Sequence, residues 1–225
     1  MFIDLSTAGV SLEADLLQPL HQGDQSENKL AVLLHPWSWL GGQMHDPVLK
    51  KLIEPLREKG FHTLRFNSRG VGSSTGWASL TGSSEGKDLE AVIQWALSQI
   101  ANTQSLVLIG YSHGALIASL HPVLPNIRTL HVLLSYPLSP RGWITMFSGN
   151  SYQKKVEELV QNPDSNVLVI YGDQDEFTSI SNYKSWSEQL SKGGRVKVVE
   201  VQGGTHFWRG RAGEALKKSV VDYSI

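Results

Sequence analysis

The chain has 225 residues, with 20 Lys and Arg against 21 Asp and Glu and a formal net charge of -1. Such totals imply no basic face for nucleic-acid phosphates, so no nucleic-acid partner is expected. There is no cysteine, which removes disulfide scaffolds, thiolate metal sites and a cysteine nucleophile and leaves the chemistry to Ser, His and carboxylates.

The length suits one compact domain over residues 1–225. The opening Met1-Phe2-Ile3-Asp4 lacks the basic and apolar regions of a secretory signal. No apolar run approaches the ~18 residues of a membrane span, so a cytoplasmic location is expected. Val10 to Leu17 alternates apolar and polar residues and pairs with Phe2 to Leu5 as an edge hairpin. Leu30 to Leu34, Leu106 to Ile109, Leu130 to Leu134 and Val167 to Ile170 are short continuous apolar runs, the mark of parallel strands covered on both faces. Thr63 to Phe66 and Val196 to Val201 complete the sheet. Helical spacing runs over Pro47 to Lys59, Lys87 to Ala101, Ser112 to Leu120, Tyr152 to Val160, Ser181 to Leu190 and Glu214 to Val221. His21 to Lys29 and Gly70 to Ser84 read as surface loops. Strand and helix alternate, which predicts an α/β fold with a mostly parallel central sheet and right-handed crossovers.

The strand Leu106 to Ile109 runs into Gly110-Tyr111-Ser112-His113-Gly114 and then into a helical pattern. A Gly-x-Ser-x-Gly turn between strand and helix presents the serine at the carboxyl end of the sheet, and its glycines relieve crowding there. Ser112 is therefore the candidate nucleophile. A serine needs a base, and among eight histidines His206 is favoured because it follows the last strand in the glycine-hinged run Gly203-Gly204-Thr205-His206-Phe207-Trp208. His35 ends a strand and reads as a structural hydrogen bonder; His21, His45, His62, His121 and His131 have no motif around them. The base needs a carboxylate to fix its tautomer. The strand ending in Gly172-Asp173-Gln174-Asp175-Glu176 offers three acids. Asp175 fits best because the chain has left the strand there; Asp173 comes second as a binder of turn amides, and Glu176 third. Two amides should face a developing oxyanion. The His113 N–H is one. In His35-Pro36-Trp37-Ser38 the proline has no N–H, so Trp37 leads for the other, with Ser38 behind it.

The order Ser112, Asp175, His206 and the sheet pattern together resemble the α/β-hydrolase superfamily over nearly the whole chain. Arg65-Phe66-Asn67-Ser68-Arg69-Gly70-Val71-Gly72-Ser73-Ser74 is similar to the turn after the fourth strand in small, lidless esterase and dienelactone-hydrolase-like members. That resemblance implies structural roles for Asn67 and Arg69. Members of the dienelactone hydrolase type often carry a cysteine nucleophile; a serine at 112 moves this chain toward esterase chemistry. Many members insert a cap after the sixth strand, whereas only Pro137 to Asn166 is available here, so no large cap domain is expected. Trp143, Ile144, Met146 and Phe147 either roof the pocket or form the core side of a short helix. With Trp39, Phe177 and Trp208 they make the expected substrate pocket, suited to an apolar acyl or aryl group. The expected activity is a serine hydrolase that cleaves a small-molecule ester or thioester with no metal and no organic cofactor. A peptidase using the same triad and a non-catalytic binding protein of the same fold are the alternatives.

Overall fold

In a computed structural model that describes residues 1–6, 8–21, 27–79, 81–138 and 149–224, eight strands join one sheet in the order β1-β2-β4-β3-β5-β6-β7-β8. They are β1 (Phe2–Leu5), β2 (Val10–Leu17), β3 (Asn28–Leu34), β4 (Phe61–Phe66), β5 (Thr103–Tyr111), β6 (Arg128–Leu134), β7 (Asn166–Gly172) and β8 (Val196–Val201). The β1–β2 and β2–β4 pairs are antiparallel and every later pair is parallel. The hairpin thus forms one edge, and β5 lies inside the sheet between β3 and β6.

Side chains on a strand alternate between faces, and the central strands are apolar on both. Leu30, Val32, Leu34, Leu106 and Leu108 belong to one core, whereas Ala31, Leu33, Val107 and Ile109 belong to the other. The first core is closed by α2 (Ser83–Gln99), α3 (His113–Ala118), α4 (Gly149–Gln161) and α5 (Ile180–Gly193); the second is closed by α1 (Pro47–Glu58) and α6 (Gly210–Tyr223). Helix α1 starts at Pro47 because Asp46 caps it, accepting from the Val48 N–H at 2.8 Å, and a proline costs nothing at the first helical position.

Some boundaries depart from the sequence pattern. Helix α2 begins at Ser83, a turn earlier than the spacing implied, because its inward face carries acids. Glu85 accepts from the Ser79 amide at 2.7 Å and from the Ser79 hydroxyl. Asp88 takes both ends of the Arg69 guanidinium, at 2.7 and 2.6 Å. Strand β5 begins at Thr103, ahead of its apolar run, because Ser105 and Thr103 sit in the ladder beside Arg128, Lys29 and Asn28. Ser112 is not helical; α3 starts one residue later. Between β6 and β7 the described chain holds α4 alone, and residues Trp143, Ile144, Met146 and Phe147 lie outside the described residues.

Candidate active site

Ser112 lies where β5 stops and α3 starts, with φ 55° and ψ -118°, a left-handed φ that a residue with a Cβ rarely adopts. Neighbouring backbone holds it: the Ser112 N–H donates to Leu134 O at 2.9 Å, and its carbonyl accepts from the Ala115 N–H at 2.8 Å. A Cβ at Gly110 would strike the backbone of Gly114 and Ala115, and one at Gly114 would strike the carbonyls of Leu34 and His35. The two glycines are thus set by strand–helix contact, and they fix where the serine points.

The Ser112 hydroxyl is 3.1 Å from His206 Nε2, and His206 Nδ1 is 2.8 Å from Asp175 Oδ2. Both side chains of the His–Asp pair are buried, 7% and 0% exposed. An ionised carboxylate only accepts, so Nδ1 carries a hydrogen, and in the neutral form of the ring Nε2 then presents its lone pair to the serine. Asp175 is fully used: Oδ1 accepts from the amides of Phe177 (2.9 Å) and Thr178 (3.1 Å), and Oδ2 also accepts from the Tyr183 hydroxyl at 3.3 Å. Burial alone would raise its pKa, but the His206 hydrogen bond and charge and the two amides outweigh burial and hold the carboxyl below its usual range.

The other two acids of this turn also engage the histidine loop. Asp173 accepts from the Gly203 N–H at 2.7 Å, and Glu176 accepts from the His206 N–H at 2.7 Å. Gln174 donates its amide to Gly204 O at 2.9 Å. Gly172 and Gly204 touch backbone to backbone, with no room for a Cβ on either. The Tyr111 hydroxyl donates to His206 O at 2.8 Å. The sequence reads Asp173 as a binder of turn amides, ranks Glu176 last and marks Tyr111 only by its place beside Ser112.

A cavity of about 430 Å³ opens on this group, walled by Pro36, Trp37, Leu40, Pro137, Phe177 and Phe207, with Asp46 and Tyr111 as its further polar lining. Phe177 packs edge-on against His206, ring centres 4.6 Å apart. Of the other aromatics expected here, Trp39 is 73% exposed and stacks on Trp37 without lining the cavity. Trp208 is 2% exposed and lies in the core, its indole N–H donating to Ser135 Oγ at 3.0 Å. Its ring belongs to the second core with Leu216 and Val220, and the bond to Ser135 lets the indole be buried without losing a hydrogen bond. Leu40, Phe207 and Asp46 line the cavity without a sequence motif to announce them. Burial raises the Asp46 pKa, partly offset by the amides of Val48 and Leu49.

The loop after β3 is pinned by a neutral histidine. His35 Nδ1 donates to Pro36 O at 2.7 Å, and His35 Nε2 accepts from the Ser68 N–H at 3.0 Å. Burial lowers the His35 pKa, which keeps Nε2 free to accept. Neither the Trp37 nor the His113 N–H is bonded to an acceptor among the described residues. His113 itself is pushed down to about 4 by burial and by the neighbouring His35, so its ring adds no charge beside Ser112 at neutral pH.

A sequence model of the X-Pro dipeptidyl-peptidase (S15) family matches residues 8–129, more than half of the chain. The chain belongs to this family. The match spans β2 to the start of β6 and includes Ser112, while Asp175 and His206 lie beyond it. This S15 chain is also similar to solved structures along its whole length. An alpha-beta serine hydrolase homologue from Coxiella burnetii is 26% identical with a TM-score of 0.76, over 99% of this chain and 95% of that one. A member of the serine hydrolases without lid from Xanthomonas campestris is 26% identical with a TM-score of 0.72, over 100% and 94%. An uncharacterized protein of Rickettsia prowazekii is 28% identical over 200 residues, 87% of this chain and 78% of its relative. The S15 chain is thus a member of the α/β-hydrolase superfamily, with the mostly parallel, helix-flanked sheet of its lidless neighbours.

Proposed function

We propose that the chain is a serine hydrolase that cleaves a small ester or thioester through an acyl-enzyme on Ser112. The observation that carries this reading is the unbroken hydrogen-bonded relay from Ser112 through His206 to Asp175, opening on a largely apolar cavity. Ser112 Oγ attacks the acyl carbonyl while its proton passes to His206 Nε2. Asp175 holds the imidazole in the required tautomer and stabilises the imidazolium. The amides of Trp37 and His113 receive the oxyanion, each worth about 3 kcal/mol to the transition state. The tetrahedral adduct collapses as His206 returns the proton to the departing alkoxide or thiolate. Water gives a proton to the same nitrogen as it attacks the acyl-enzyme, and the acid leaves as the Oγ–acyl bond breaks and His206 returns that proton to Ser112 Oγ. No step calls for a metal or an organic cofactor.

The match to the X-Pro dipeptidyl-peptidase family favours a second reading, in which the same relay cleaves a peptide bond. Turnover of p-nitrophenyl esters and acyl thioesters of graded chain length, set beside Xaa-Pro anilides, separates the two. The ester reading expects faster turnover of esters than anilides and a fluorophosphonate adduct on Ser112, both lost in Ser112→Ala. A folded Ser112→Ala protein that hydrolyses esters at the wild-type rate overturns it, and an unlabelled Ser112 favours a non-catalytic binding protein.

A further inference from the structure

The loop that carries His206 is hinged on Gly203 and Gly204, and the His206 peptide lies outside every strand and helix. Asp173 and Gln174 tie down Gly203 and Gly204, but those holds stop two residues short of His206, and proton transfer from Ser112 needs Nε2 within hydrogen-bond reach of Oγ. The main chain of His206 is gripped on both sides. Its N–H donates to Glu176 Oε2 at 2.7 Å, and its C=O accepts from the Tyr111 hydroxyl at 2.8 Å. The two grips come from different strand ends: Tyr111 closes β5 immediately before Ser112, and Glu176 follows β7 immediately after Asp175. Each hold is therefore one residue from a group the imidazole must meet. Tyr111 is 2% exposed and lines the same cavity as Ser112. Glu176 forms no ion pair among the described residues.

We propose that Glu176 is a positioning residue that sets His206 against Ser112 through the main chain, with Tyr111 as its counter-hold. This rests on the reading of Ser112 and His206 as the reacting pair. Glu176 acts by geometry: what matters is an acceptor for the His206 N–H, and a neutral amide oxygen, though weaker than a carboxylate, also supplies one.

The test is steady-state hydrolysis of p-nitrophenyl butyrate by the wild type, Glu176→Ala, Glu176→Gln, Tyr111→Phe and the Ala/Phe double variant. Misplacing a reacting group by about 1 Å costs about 100-fold. Glu176→Ala is expected to lose about 10- to 100-fold in kcat with KM within about threefold, because the substrate cavity is untouched. Glu176→Gln restores kcat to within about threefold of wild type. Tyr111→Phe also loses kcat, and the double variant loses less than the product of the single losses because both groups hold one peptide. Full kcat in Glu176→Ala overturns the proposal, as does a Gln variant no better than Ala, which would assign the effect to charge, or a loss confined to KM. Should Glu176→Ala lack a cooperative urea transition, Glu176→Asp takes its place, one methylene short of the amide, with the same expected loss of kcat and the same reversal if kcat is full. Wild-type hydrolysis that is absent or independent of Ser112 would instead strike the hydrolase reading, which keeps the two failures apart.

Discussion

Replacing Asp175 by Asn probes the relay most sharply, because it changes a charge and a donor while leaving the shape. The asparagine carbonyl can still accept from the Phe177 and Thr178 amides that now bond Oδ1, so the turn survives. The other arm becomes an NH₂ facing His206 Nδ1, 2.8 Å from the present oxygen. Two donors cannot face each other, so the imidazole hydrogen moves to Nε2 and points at the Ser112 oxygen, 3.1 Å away. The base is gone in its resting form. The imidazolium also loses its counter-charge: at 2.8 Å and an effective dielectric of about 20, that attraction is about 6 kcal/mol. At about 1.4 kcal/mol per factor of ten, this corresponds to a loss of about 10⁴ in kcat, the size expected when a triad loses its carboxylate. The assay is hydrolysis of p-nitrophenyl butyrate, with urea unfolding to show that the variant is folded. A folded Asp175→Asn enzyme that keeps more than about a tenth of kcat refutes the assignment.

Two further outcomes concern stability. Asp88→Ala leaves the Arg69 cation, 15% exposed, without its partner and should cost about 3 kcal/mol, read from the urea midpoint; a loss under about 1 kcal/mol would mean that water replaces the carboxylate. His131 is fully buried, and burial pushes its pKa down to about 4. From pH 6.5 down to about 4 the unfolded chain takes up a proton that the folded ring refuses, so folding stability falls with pH by about 1.4 kcal/mol per unit from this group. Unfolding free energies at pH 7 and pH 5 should therefore differ less in His131→Phe than in wild type, by about 2 kcal/mol; an equal difference in the two proteins removes His131 as the cause.

The elements of the sheet were legible because each central strand is a short apolar run with both faces covered, and the edge hairpin alternates because one face is wet. The start of α2 was hidden because its inward positions are Glu85 and Asp88, paired with Ser79 and Arg69 from a loop that no periodicity reveals. Trp208 read as a pocket residue because it is apolar, in a loop and next to the histidine. It lies in the core instead, where its indole N–H finds the Ser135 hydroxyl.

Local chemistry in the sequence determined the strand-to-helix elbow at Ser112, since Gly110 and Gly114 are needed wherever strand and helix touch so closely. The sequence ranks Asp175 first of three neighbouring acids by its place past the strand end, and tertiary structure brings it to the imidazole, because residues 112, 175 and 206 come together only when β5, β7 and β8 lie in one sheet. Tertiary structure also decided the work of the other two: a carboxylate within the Asp173 to Glu176 turn finds a ring nitrogen or a backbone amide according to where the folded histidine loop places each. A turn sequence records that acids are present, and the distances that separate their tasks exist only in the fold.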